Sequence, residues 1–340
     1  MEMTARLAAI FGCSGAQLLA EERDFFRDAQ PAGFILFARN VEDPAQLVRL
    51  TSDLREAVGW EAPILVDQEG GRVQRLRAPH WREWAPPLDT VLAAPDMGTA
   101  ARIMGLRMRI VARELRAVGI DADCAPLGDL ALDETHPFLR NRCYGTSADQ
   151  VIAVARAVAE GLLAGGVLPV MKHLPGHGRS YTDTHHAVPT VMADRATLAA
   201  EDFAPFRALN DLPMAMTGHL VFAAYDAERP ATQSPEMIRV IREELGFAGL
   251  LMTDDLNMQA LTGNLAERAA LAIAAGCDIA LHCKGDMIEM QQVASACGDL
   301  TVAATARLRA ALARRPEPDT VDIAALEADL AALSRGGAHG

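Results

Sequence analysis

The stretch Gly249-Leu250-Leu251-Met252-Thr253-Asp254-Asp255-Leu256-Asn257-Met258 is a short apolar run that delivers two adjacent carboxylates at its end. An unbroken apolar run of this length suits a strand buried on both faces of a parallel sheet. Working outward from it, seven more runs of the same kind are found: Leu7–Ile10, Gly33–Phe37, Ile64–Asp67, Ile120–Ala125, Leu168–His173, Met214–His219 and Ile279–Cys283, with Gly249–Asp254 between the last two. Helical patterns with legible ends lie between them. Asp43-Pro44 opens a helix that stops before Gly59, with Asp as the cap and Pro at the first helical position. Ser147-Ala148-Asp149-Gln150, Asn264-Leu265-Ala266-Glu267 and Asp286-Met287-Ile288-Glu289 are box-like starts, and Gly119, Gly246, Gly276 and Gly298 follow last helical turns.

Eight such βα repeats within 340 residues predict an α/β fold of the (β/α)8 TIM-barrel type. A doubly wound sheet fits less well, since no GxGxxG follows the first strand. Four runs end in polar groups, Asp67, Lys172-His173, His219 and Asp254, at the carboxyl edge where barrels place their chemistry. A single catalytic domain is expected over residues 1–335, its C-terminal helices beyond Arg314-Arg315-Pro316-Glu317-Pro318-Asp319 packed on the barrel. Residues 336–340 read as a flexible tail.

Composition narrows the function classes. Half of the residues are apolar, and 32 Lys+Arg against 45 Asp+Glu leave a net charge of −13, which argues against a nucleic-acid partner. Met1 to Arg6 lead only to the short apolar patch Leu7 to Phe11, neither a secretory leader nor a membrane span, so a cytoplasmic protein without membrane contact is expected. The six cysteines form no CxxC pair and read as reduced thiols, with neither a zinc site nor a disulfide framework.

The densest chemistry lies in Lys172-His173-Leu174-Pro175-Gly176-His177-Gly178-Arg179-Ser180-Tyr181-Thr182-Asp183-Thr184-His185-His186-Ala187-Val188-Pro189, which holds four of the nine histidines. Gly and Pro interrupt it, which predicts a long loop over the barrel mouth. Asp183 and His185 lie two apart, close enough for the carboxylate to fix the imidazole tautomer, an acid/base dyad in outline. His173 and His177 have the spacing of helical zinc ligands, but the intervening Leu-Pro-Gly denies them a helix, and no metal or other cofactor is expected. Strand alternation lets only one of Asp254 and Asp255 face the mouth, its neighbour turning to the loop or capping the next turn. A carboxylate there, opposite an Asp/His dyad, suits attack on an acetal carbon, which needs a nucleophile below the sugar and a proton donor above the leaving oxygen. Val66-Asp67-Gln68-Glu69-Gly70-Gly71-Arg72-Val73-Gln74-Arg75 adds an acid and arginines suited to hydroxyl recognition.

These residues carry a family likeness. From Gly33-Phe34-Ile35-Leu36-Phe37-Ala38-Arg39-Asn40 through the Lys-His-x-Pro-Gly-His-Gly loop to Thr253-Asp254-Asp255-Leu256-Asn257-Met258, the chain resembles the bacterial β-N-acetylhexosaminidases of glycoside hydrolase family 3, of the single-domain, peptidoglycan-recycling type. About 57 residues remain after Cys283, too few for a further domain of the usual size. The resemblance implies a retaining exo-β-N-acetylglucosaminidase in which Asp254 forms a glycosyl-enzyme intermediate and His185, oriented by Asp183, serves as general acid and then base. It further implies that Asp67, Arg75, Arg142, Lys172 and His173 hold the N-acetylglucosamine ring, that the substrates are peptidoglycan-derived muropeptides, and that the enzyme is a monomer. Leu174, Thr184 and Arg142-Cys143-Tyr144-Gly145 depart slightly from the family pattern and leave the polar roles intact. A phosphorylase, resolving the intermediate with phosphate, is the alternative, because an imidazole acid would not repel an anionic acceptor.

Overall fold

The structure, a computed structural model, describes residues 5–180, 188–320 and 322–336. Asp183 and His185 lie outside the described residues, as do residues 337–340 of the expected tail. Eight parallel strands close into a barrel: β1 Leu7–Phe11, β2 Pro31–Leu36, β3 Ile64–Val66, β4 Ala122–Asp123, β5 Leu168–Leu174, β6 Met214–Thr217, β7 Leu250–Asp255 and β8 Ile279–His282. Each strand pairs with its neighbours in the chain, and β1 closes the ring on β8 through Phe11 opposite His282. The expected (β/α)8 fold is therefore the observed one, with all eight strands at the places read from the sequence. β4 is the one shortened most, although Asp121 and Cys124 continue its ladder through bonds from their N–H groups to the Ile64 and Val66 carbonyls.

Helix ends follow the local chemistry. In α1 (Ala20–Ala29) and α2 (Pro44–Val58) the first two crossovers are made, and Asp43 caps α2 by accepting from the Gln46 N–H at 2.9 Å while Gly59 closes it at φ 70°. The long pair α3 (Met97–Ala117) and α4 (Ala148–Ala164) packs tightly because Gly105 and Gly161 allow the backbones to meet; a Cβ on Gly161 would lie 2.3 Å from the Gly105 carbonyl. Asn264 and Glu267 form a reciprocal capping box at the start of α5 (Leu265–Ala275), and Asp286 caps α6 (Met287–Cys297).

Apolar side chains separate into two layers. Ile10, Ile35, Leu65, Val170, Met214, Leu250, Ile279 and their neighbours fill the barrel interior, and a larger shell lies between strands and helices. Leu308 and Ala311 of α7 (Val302–Ala313) join the interior cluster, so α7 seals the end of the barrel opposite the strand carboxyl ends. Beside it the buried Asp121 carboxylate pairs with Arg55 at 3.1 Å and with Arg315. The last helix, α8 (Ile323–Gly336), lies against α3, tied through Arg82 to Glu327 and Glu114 and through Arg109 to Asp319. No helix among the described residues is long and apolar enough to cross a membrane.

Candidate active site

At the carboxyl ends of the strands a pocket of about 860 Å³, counted out to open solvent, is bordered by Asp67, Arg75, Arg142, Lys172, His173, His177, Asp254 and Asp255. Phe37, Phe138, Met216, Met258 and Leu281 supply its apolar walls. Two local irregularities build it. The pairing of β5 with β6 slips between Met171 and Leu174, so both Lys172 and His173 reach the pocket. The pairing of β7 with β8 slips between Met252 and Asp255, and both acids border the pocket where strict alternation predicts only one. Asp255 nevertheless turns as expected: its Oδ1 accepts from the Cys283 N–H at 3.1 Å and the Asn257 N–H at 3.2 Å.

One wall is a chain of alternating charges. Arg75 lies 2.8 Å from Asp67 Oδ2, Lys172 Nζ lies 2.8 Å from Asp67 Oδ1 and 2.6 Å from Glu69 Oε1, and Arg142 grips Glu69 with two bonds of 2.7 and 2.8 Å. Burial works against ionising these carboxyls, but Lys172 and Arg75 outweigh it and hold Asp67 far below the usual carboxylate range. For Glu69, Arg142 and Lys172 likewise overcome burial and bring the carboxyl to about 2. The same contacts raise Lys172 above its ordinary value in spite of its burial. Glu69 is fully enclosed, whereas Asp67 keeps an edge on the pocket. Next to them the buried Asp123 is pushed up to about 7, chiefly by desolvation, and its Oδ2 has no protein partner.

The opposite side is set by Asp129. Its carboxylate lies 2.7 Å from His173 Nδ1 and accepts from the His177 N–H at 2.8 Å, so it fixes both the ring and the turn that follows β5. The two adjacent acids of β7 diverge. Burial raises Asp254, but His173 and the N–H of Asp255, 2.8 Å from Oδ1, bring it below the ordinary range. Asp255 is pushed up to about 6 by burial, with the Asp254 charge adding to the effect. Asp254 is thus ionised at neutral pH, in the same pocket as the Asp67 carboxylate and the cations Arg75, Arg142 and Lys172.

Of the residues singled out from sequence, Asp67, Arg75, Arg142, Lys172, His173 and Asp254 come together in this pocket. Asp183 and His185 fall outside the described residues, and the described residues on either side of them are held. The Ser180 carbonyl accepts from the His136 N–H at 2.9 Å, and Val191 pairs with Phe222. Glu69 and Asp129 were not assigned from sequence. Each follows a strand end by only a few residues, the placement that marked the other four polar ends, and this is the signal that could have found them. His219, also read as a mouth residue, does not border the pocket; it is buried behind it.

Comparison with known proteins fits this geometry. The glycosyl hydrolase family 3 N-terminal domain profile matches residues 5–315. A β-hexosaminidase of Methylococcus capsulatus is 37% identical over 281 residues, covering 81% of this chain and 82% of its own. The family 3 β-N-acetylglucosaminidase structure from Paenibacillus sp. FPU-7 superposes with a TM-score of 0.85 at 28% identity, over 96% of this chain and 67% of that one. NagZ from Neisseria gonorrhoeae, solved in complex with N-trifluoroacetyl-D-glucosamine, gives a TM-score of 0.82 at 27% identity over the full length of both chains. A barrel that ends its strands in these acids and cations, matched along nearly its whole length, belongs to glycosyl hydrolase family 3.

Proposed function

We propose that the protein is a retaining exo-β-N-acetylglucosaminidase that removes terminal N-acetylglucosamine from peptidoglycan-derived muropeptides. The observation that carries the reading is the ionised Asp254 at the barrel mouth, facing the same pocket as the Asp67–Lys172–Glu69–Arg142 chain. Similar chains named β-hexosaminidase and the N-acylglucosamine held by the gonococcal relative support the choice of sugar.

In this mechanism an oxygen of Asp254 attacks C1 while the bond from C1 to the departing oxygen breaks, and that oxygen takes a proton from His185. His185 then removes a proton from water, which attacks C1 from the opposite side and releases Asp254, so configuration is retained. Asp183 orients His185. Asp67, fixed from behind by Lys172 and Arg75, keeps lone pairs for sugar hydroxyls, and Arg142 and His173 complete the ring site. The chemistry asks for no metal or other cofactor, and residues 1–335 act as one catalytic unit, monomeric and cytoplasmic.

Release of 4-nitrophenol from its β-N-acetylglucosaminide, compared with the β-glucoside, tests the reading on EDTA-treated protein with and without phosphate. Strong preference for the N-acetyl substrate in plain buffer is expected; silence on it, or dependence on added metal or phosphate, refutes the hydrolytic mechanism. Asp254→Ala is expected to abolish turnover while sugar affinity stays measurable. His185→Ala is expected to slow natural glycosides more than aryl glycosides with good leaving groups, and equal losses in the glycosylation step would remove His185 as the acid.

A further inference from the structure

β6 leaves the barrel through Thr217-Gly218-His219, and the His219 ring sits behind the pocket with no solvent exposure. Both ring nitrogens are engaged. Nε2 lies 3.1 Å from the backbone carbonyl of Asp255, and Nδ1 lies 2.8 Å from the Thr232 hydroxyl. A carbonyl only accepts, so Nε2 carries the proton. Burial holds His219 below its ordinary value, which keeps the ring neutral; Nδ1 is then an acceptor, and Thr232 gives its one hydrogen to it at 2.8 Å rather than to the Gly218 carbonyl at 3.2 Å. The Thr217 hydroxyl, 2.8 Å from Thr232 Oγ1, completes the chain as donor to that oxygen. Thr232 is itself set in a tight turn, Ala231–Gln233, whose following residue Ser234 caps the next helix and bonds Asp226 at 2.6 Å.

The residue held by this chain is the one that holds Asp254. The Asp255 N–H donates to Asp254 Oδ1 at 2.8 Å, and the Asp255 carboxyl is fixed by the Cys283 and Asn257 N–H groups. The Asp255 carbonyl is held from two sides, by His219 Nε2 and by the Met258 N–H, each at 3.1 Å. We propose that His219, with its tautomer set by the Asp255 carbonyl and its ring held by Thr232, is a positioning residue that orients Asp254 for attack through the backbone of Asp255. It rests on Asp254 being the nucleophile. Without the ring, the Asp255 carbonyl keeps only its other donor, the Met258 N–H at 3.1 Å, the peptide is free to turn about that bond, and the Asp255 N–H leaves the nucleophile's oxygen. Misplacement on the scale of 1 Å costs turnover on the order of 10²-fold while leaving sugar binding in place.

Two substitutions separate positioning from mere packing. His219→Gln carries an amide nitrogen at about the place of Nε2 and keeps the donor to Asp255, whereas the shorter His219→Asn puts its amide near Nδ1 and loses it. With 4-nitrophenyl β-N-acetylglucosaminide and the full chain, H219N is expected to lower kcat by about 10–100-fold with KM changed by less than about 2-fold. H219Q is expected to recover kcat to within about 5-fold of the parent, and the double variant H219N/T232V to be no slower than H219N, since both act along one chain. Equal losses in H219N and H219Q, an unchanged kcat in H219N, or a loss confined to KM would overturn the inference. Should H219N fail to fold, Thr232→Val carries the test: a several-fold lower kcat at unchanged KM supports it and an unchanged kcat refutes it. Asp254→Ala read alongside keeps the two ideas apart. Turnover surviving that change removes the nucleophile assignment, whereas its loss together with an unaffected H219N removes only the positioning role.

Discussion

Replacing Lys172 by Met keeps the volume of the side chain and deletes only its charge, which isolates the electrostatic work of the alternating wall. The ammonium makes bonds of 2.8 Å to Asp67 and 2.6 Å to Glu69 and is 2% exposed, so nothing in solvent can replace it. Glu69 sits at about 2, roughly two units below the usual ~4.3, which corresponds to about 3 kcal/mol shared mainly between Arg142 and Lys172. Removing one partner from a buried charge cluster costs about 3–5 kcal/mol. With an unfolding entropy of about 2.1 cal/mol/K per residue, 340 residues give about 0.7 kcal/mol/K, so Tm is expected to fall by about 4–7 °C at pH 7. The pH dependence has a definite sign. In the parent, Asp67 and Glu69 have folded values below their unfolded ones, so their stabilisation is complete above pH ~4 and is lost only as pH falls through the folded values. In Lys172→Met the same carboxyls, short of a cation, move up, and protonation as the pH drops relieves their repulsion. Calorimetry at pH 7 and pH 5 is therefore expected to show the gap between variant and parent shrinking on acidification. A drop below about 2 °C at pH 7, or a gap that widens toward pH 5, would refute the idea that Lys172 neutralises two ionised carboxyls.

Asp129→Asn places amide hydrogens against the His173 ring or the His177 N–H, and a loss of about 2–3 kcal/mol in urea unfolding is expected, together with a raised KM. Gly70→Ala meets both a φ of 105° and the guanidinium of Arg107, and should cost at least about 3 kcal/mol or prevent folding, read by soluble yield and circular dichroism. All six thiols are buried, and Cys283, although it borders the pocket, is pushed well above its ordinary value, so a thiol-directed reagent at pH 7 should leave activity intact until the protein is unfolded.

The elements that were legible in sequence are those whose cause is local. Asp43, Ser147, Asn264 and Asp286 cap the helices that their side chains announce, and the eight apolar runs each became a strand. Asp67, Lys172-His173 and Asp254 were found because they end those runs. The Glu69–Arg142 pair spans 73 positions in the chain and depends on which strands lie beside each other, information that periodicity does not contain. Asp129 was hidden for a similar reason: it serves His173 and His177 from a neighbouring strand end, more than forty positions away. The two slips in pairing, at Met171–Leu174 and Met252–Asp255, decide that consecutive side chains share one pocket, and no spacing rule written for a regular strand anticipates them. The strand read as ending at His219 ends two residues earlier, at Thr217, and the partners of His219 behind the pocket came only from three dimensions.

The sealing of the barrel by α7 bears on the order in which the chain can be assembled during synthesis. β1 leaves the ribosome first, yet its partner on one side, β8, is made some 270 residues later, and Leu308 and Ala311 arrive later still. Until residue 311 has emerged, the ring of strands has an open end through which water reaches Ile10, Leu65 and Val170. A half-made barrel of this chain would expose apolar surface of the kind that promotes aggregation, and the step that ends the exposure belongs to a helix carrying none of the residues assigned to the chemistry.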